Sequence, residues 1–171
     1  MIIQKIKTRL TAQFILFATL ISVSSICQSQ EKPGMAANKD YKLKIEWKPV
    51  QNNFEGTSQS LSVLTISNGS DNDLPAHGWT LYFNYGETSP KPDSRGLTMS
   101  YINGDLYKIE STAAFDGIPA GKSLNYQMIR SGSIDNITQA PQGFYLVWDN
   151  EPSKAIPLPL TIRTPDKAFL E

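Results

Sequence analysis

A chain of 171 residues with 16 basic and 16 acidic side chains is long enough for one domain with a sizeable core. Its balanced charge does not suggest a nucleic acid or an anionic membrane surface as partner, since both ask for a basic stripe. A single cysteine excludes an intrachain disulfide, and a single histidine, His77, leaves any histidine metal cluster or serine triad without a second imidazole.

The first segment carries Lys5, Lys7 and Arg9, then the apolar run FILFATLISV from Phe14 to Val23, then Ser24 and Ser25. A basic start, an apolar stretch too short for a membrane span and small residues after it describe a signal peptide over residues 1–29, cleaved after Ser25 or Ser29. Its loss leaves 13 basic against 16 acidic residues, a mildly acidic domain. Cys27 is discarded with the signal in this reading; the alternative is a lipid anchor on it, although Ile26 is not the small residue that such a signal has before its cysteine. Residues 30–40 are polar and small, with Pro33 and Gly34, and read as a flexible tether.

From Tyr41 the pattern changes. Tyr41, Leu43, Ile45 and Trp47 alternate with Lys42, Lys44, Glu46 and Lys48, a strand with one wet face that stops at Pro49. Residues 52–58 read as a loop and Leu61 to Ser67 as the second strand. The clearest strand is LPAHGWTLYFNY, Leu74 to Tyr85: Trp79, Leu81, Phe83 and Tyr85 share one face, Thr80, Tyr82 and Asn84 the other. Strands then follow over Leu97 to Ile102 and Leu106 to Glu110, joined by the tight turn Asn103, Gly104 and Asp105, whose residues tolerate positive φ. Residues 113–115 add a short edge piece, Ser123 to Arg130 alternates again, and Phe144 to Asp149 is apolar on both faces, as a central strand is. Ile156 to Thr164 closes the domain as an edge strand, since Pro157 and Pro159 cannot donate to a ladder, and residues 165–171 form a tail.

Residues 41–164 show no sustained helical stripe. Seven to nine short strands at roughly ten-residue spacing make the fold class all-β, an antiparallel β-sandwich with Trp47, Trp79 and Trp148 in its core.

The runs TISNGSDNDLPAHGWTLYFNY (Thr65 to Tyr85) and YINGDLYKIESTAAFDGIPAGKSLNY (Tyr101 to Tyr126), with FYLVWDNEP (Phe144 to Pro152) as a last core strand, resemble the N-terminal domain of chitobiases and bacterial β-N-acetylhexosaminidases of glycoside hydrolase family 20. The resemblance covers nearly all of residues 41–162. It implies a sandwich similar to cellulose-binding modules with a carbohydrate-binding role, placed ahead of a catalytic barrel that this chain does not contain. The chain is then either a free-standing relative or the front of a longer enzyme.

The residues themselves point to no catalyst. Glycoside hydrolysis needs two carboxylates flanking a scissile bond in a cleft, and Asp149, Glu151 and Asp105 all read as turn residues beside Asn150, Pro152 or Gly104. His77 beside Gly78 reads as a turn residue too. Asp71, Asn72 and Asp73 cluster oxygens without the spacing of a calcium loop, so no metal and no cofactor is expected. Asn68-Gly69-Ser70 and Asn136-Ile137-Thr138 match a glycosylation acceptor pattern that means little in a bacterial setting.

Sugar binding asks for a ring against the apolar face of a pyranose and amides or carboxylates for its hydroxyls. Tyr82 with Asn84, and Tyr145 with Asp149, lie on the minority faces of their strands and are the candidate contacts; the competing account buries these rings under covered edges. The expectation is an exported, non-catalytic polysaccharide-binding domain for chitin-like glycans, in the periplasm, at the cell surface or outside the cell. The competing expectation is a structural domain that packs on a hexosaminidase barrel and binds no sugar.

Overall fold

The computed structural model describes residues 41–86 and 95–165. The signal peptide, the tether over 30–40, Cys27 and all of the tail except Pro165 lie outside the described residues.

Nine strands form among the described residues: β1 (Leu43–Gln51), β2 (Gln59–Asn68), β3 (Trp79–Asn84), β4 (Leu97–Asn103), β5 (Leu106–Ser111), β6 (Ser123–Ser131), β7 (Gln142–Trp148), β8 (Ala155–Pro157) and β9 (Leu160–Ile162). They build a four-stranded sheet, β6-β2-β1-β9, and a five-stranded sheet, β4-β5-β3-β7-β8. Every pairing is antiparallel except that of β1 with β9. The period-2 pattern of each strand puts its large apolar side chains between the sheets. Ile45, Trp47, Leu64, Ile66, Tyr126 and Met128 come from one sheet and Trp79, Leu81, Phe83, Ile109, Leu146 and Trp148 from the other, all buried in one cluster. The three tryptophans are core residues, as their ladders predict. On β3, Trp79, Leu81 and Phe83 face the core, followed by Tyr85, while Tyr82 is half-buried and Asn84 exposed on the other face; Thr80 shares that outer face yet is itself buried.

Most boundaries fall within two residues of expectation, β7 for one running Gln142–Trp148; four larger differences each have a local reason. β1 runs through Pro49 to Gln51. Ile45 N–H and Trp47 C=O both bond toward β9, so the missing N–H of Pro49 also falls on that side, two residues past the point where β9 pairing ends. The central strand starts at Trp79 rather than Leu74; Pro75 and Gly78 (φ 94°) break it, and Leu74 instead forms an isolated bridge with Ile118. Residues 113–115 are a turn, closed by Phe115 N–H on Thr112 O, and they drop the Phe115 ring edge-on against Trp79 at 5.8 Å. The closing segment is two strands instead of one. Leu158 and Pro159 carry the chain from β8, the edge of one sheet, to β9, the edge of the other.

Asn68 ties two of these turns together. At the end of β2 its Nδ2 donates to Asn72 O (2.8 Å) and Ile118 O (2.9 Å), and its Oδ1 accepts from Ser70 N–H. The side chain is buried and its amide fully committed. Replacing it by Ala removes three hydrogen bonds, leaves Ile118 O with Leu74 N–H alone and frees both turns, which costs about 2 kcal/mol. Urea unfolding of Asn68→Ala will show a lower midpoint at an unchanged slope.

The core has a polar corner. Burial raises the Tyr85 hydroxyl above its ordinary value of 10.0, with nearby Ser62, Arg130 and the Trp47 indole opposing. The Arg130 guanidinium lies 5.9 Å from the Tyr85 ring centroid. Neither Tyr85 Oη nor Trp47 Nε1 makes a well-formed hydrogen bond, although the two groups are neighbours. A raised phenol is protonated in the folded state where the unfolded one already ionises. Its contribution is therefore present in full below pH 10 and is lost as pH climbs from there through the folded value. Tyr85→Phe removes that alkaline loss and leaves stability at pH 7 unchanged or slightly higher, because an unpaired buried hydroxyl leaves with it. Thermal melts of both proteins at pH 7 and above pH 10 check this.

Candidate functional site

The outer face of the five-stranded sheet carries an unbroken row. Register places Ser100 opposite Lys108, Lys108 opposite Tyr82, Tyr82 opposite Tyr145 and Tyr145 opposite Pro157, so five strands each contribute one side chain. Tyr82 and Tyr145 sit at its middle. Their rings are parallel within 8° with centroids 5.1 Å apart, too close to lie edge to edge in one plane. They are offset face to face as a half-buried ridge, flanked by Lys108 beside Tyr82 and Pro157 beside Tyr145. A polyhydroxylated ring offers C–H groups to such an aromatic side and hydroxyls to whatever surrounds it.

Polar groups flank the ridge. Lys108 stands beside Tyr82 and is held by Glu110, Nζ to Oε2 2.7 Å, both side chains partly exposed. Further along the strands the β3–β7 ladder slips: three β3 residues, Tyr82 to Asn84, oppose four on β7, Tyr145 to Gln142. The extra residue is taken up at Gly143, whose φ of 64° suits a bulge that an L side chain enters only under strain. The slip brings exposed Asn84 and Gln142 side by side, two amides one row from the tyrosines.

The four candidate contacts are thus not one cluster. Tyr82 and Tyr145 stack and Asn84 joins them. Asp149 stands past the end of β7, where its N–H extends the ladder to Gly78 O, roughly 20 Å along β3 from Asn84. Lys108 and Gln142 were not singled out by sequence. Alternation in the hairpin points Lys108 outward, but its neighbour Tyr82 comes from a strand pairing that no turn in the chain dictates.

The opposite outer face differs in kind. Its strands present Lys44, Glu46, Thr65, Ser67, Asn125 and Gln127, with Thr65 Oγ1 donating to Asn125 Oδ1 and Ser123 bonded to Ser67, and they place no aromatic ring there. Among the described residues, outward-facing strand rings stand on the five-stranded sheet alone.

Glu151, Asp73 and His77 have structural partners. Glu151 closes a turn, with its N–H on Trp148 O and its carboxylate 3.6 Å from Lys154 Nζ. Asp73 Oδ1 accepts from Ala120 N–H, and exposed His77 Nδ1 lies 2.9 Å from Ser111 Oγ. No group of three His, Cys, Asp or Glu side chains suited to a metal occurs among the described residues. Both acceptor-pattern asparagines are engaged, Asn68 as above and Asn136 in capping the short turn Ile137–Gln139.

The family model CHB_HEX, described as "Putative carbohydrate binding domain", matches residues 36–157. The chain belongs to this family. Among solved structures it is similar to a family 20 exo-β-N-acetylglucosaminidase from Vibrio harveyi, solved with N-acetylglucosamine, at 16% identity and a TM-score of 0.54; the match covers 74% of this chain and 19% of that one. Looser likenesses include a family 3 carbohydrate-binding module from Hungateiclostridium clariflavum (13% identity, TM-score 0.45, 68% of this chain and 98% of that one). They also include the chitin-binding domain of a Streptomyces coelicolor protein (16% identity, TM-score 0.41, 63% and 92%). The chain thus spans about a fifth of the Vibrio enzyme it matches. No helix among the described residues is long and apolar enough to cross a membrane.

Proposed function

We propose that this CHB_HEX domain is an exported, non-catalytic module that holds chitin-like N-acetylglucosamine polymers on the outer face of its five-stranded sheet. One observation carries the reading: the row Ser100, Lys108, Tyr82, Tyr145 and Pro157 crosses the whole sheet and centres on paired rings. A row of that kind suits an extended polymer, which makes several weak contacts along its length. The module contributes proximity. Tethered to a hydrolase it raises local substrate concentration and leaves bond cleavage to its neighbour.

Export is supported by the basic start, apolar run and small residues over 1–29. A hexosaminidase catalytic domain is the natural partner, because the Vibrio enzyme is about five times as long as its matched part. Depletion from solution by insoluble chitin and by cellulose tests the reading: chitin retains the protein, and a chromogenic N-acetylglucosaminide releases nothing above buffer. Absence of retention on either polymer favours a domain that only packs against an enzyme, and steady turnover defeats both.

A further inference from the structure

A concavity lies away from the tyrosine ridge, where β9 stops alongside β1. It has a volume of about 480 Å³, within the range of small-molecule sites. Trp47, Pro49 and Ile162 are among its apolar lining, and Asn53, Asp135 and Arg163 among its polar one.

This groove is held in shape before any ligand arrives. Asn52 exchanges two bonds with Ile134, Nδ2 to Ile134 O (3.3 Å) and Oδ1 from Ile134 N–H (2.8 Å), pinning the 133–137 turn to the end of β1. The same turn is capped from within: Asn136 Oδ1 accepts from Thr138 N–H and Gln139 Oε1 from the N–H groups of Asp135 and Asn136. Arg163 is fixed by its N–H on Trp47 O and by Nε on Glu46 Oε2 at 2.9 Å. A preset site loses little ordering entropy on binding.

What remains at the rim is a donor, an acceptor and a greasy edge. Asn136 Nδ2 makes no bond among the described residues, the exposed Asp135 carboxylate makes none either, and Ile137 is 60% exposed beside them. Arg163 is taken up by Glu46, which leaves the Asp135 carboxylate as an acceptor at the rim, so the groove disfavours an anion and suits a neutral guest with hydroxyls to donate. Neutral, hydroxyl-rich and apolar on one face describes a pyranoside, and a half-open groove of this volume admits one or two sugar units rather than a running polymer.

We infer that this groove is a separate saccharide site that takes a chain end or a soluble disaccharide. It shares a ligand class with the proposed function but no residue with the tyrosine face.

Titration of the nitrogen-labelled full chain with N,N′-diacetylchitobiose and with cellobiose, followed by amide chemical shifts, tests it. The expected result is saturable shifts at 133–137 and Arg163. Asp135→Ala, which removes an acceptor, and Ile137→Ser, which removes an exposed contact without touching the core, each weaken binding about tenfold, while Tyr82→Ala leaves it unchanged. Shifts confined to β3 and β7 overturn the groove and leave the polymer face standing. An absence of saturable groove shifts with both disaccharides also overturns it, whatever insoluble chitin does. Saturable groove shifts in a protein that chitin fails to retain uphold the groove and sink the polymer face.

Discussion

Phe83→Ala is expected to cost about 4 kcal/mol, a large share of the stability of an ordinary domain. Phe83 is fully buried at the centre of the five-stranded sheet, stacked on Phe144 at 4.9 Å and on Tyr107 at 6.1 Å. Removal leaves a cavity between two sheets whose strands are hydrogen-bonded on both sides and are poorly able to close over it. Stacking with two neighbours is lost as well. Phe83→Leu keeps most of the volume and should cost only about 1 kcal/mol. Urea unfolding followed by tryptophan fluorescence gives both numbers, and a loss below about 1 kcal/mol for the alanine variant would mean that this ring does not fill the core.

Tyr82→Ala has the larger functional consequence. Its ring supplies one side of the exposed ridge, and its loss also leaves Tyr145 without the neighbour that orients it. Aromatic truncation at a contact centre typically costs about 1.5–3 kcal/mol, so chitin affinity is expected to fall roughly tenfold to a hundredfold. Tyr145→Ala should behave alike. Asn84→Ala, which removes one amide from the flank, is expected to lose only about fivefold. Asp149→Ala should leave affinity unchanged, since that carboxylate stands at the far end of β3.

Strand by strand, the sheets were legible wherever alternation was strict. Tyr41 to Trp47 and Trp79 to Tyr85 show their core face in their spacing, and the Asn103–Asp105 turn announces its hairpin, though not the register shift between Tyr101 and Asn103 beside it. Less legible was whatever depends on a neighbour. Pro49 reads as a stop because a single strand does not say on which side its partner lies. The segment after Ala155 reads as one edge because nothing local shows that Leu158 and Pro159 switch sheets. The site followed the same division. Outward placement of Tyr82 and Tyr145 follows from alternation, but their stacking depends on the pairing of β3 with β7, strands some sixty residues apart in the chain. Gln142 was hidden by the bulge at Gly143, which shifts the register by one residue and so changes which β7 side chain meets Asn84.

The core claim is that β3 divides its labour, packing with one face and holding polysaccharide with the other. The most direct measurement pairs a chitin-binding isotherm with a thermal melt for the Tyr82→Ala/Tyr145→Ala double variant beside the unaltered protein. A cooperative melt lowered by no more than about 10 °C, together with loss of measurable retention, is the predicted result. Undiminished chitin binding by a protein lacking both rings would contradict the account.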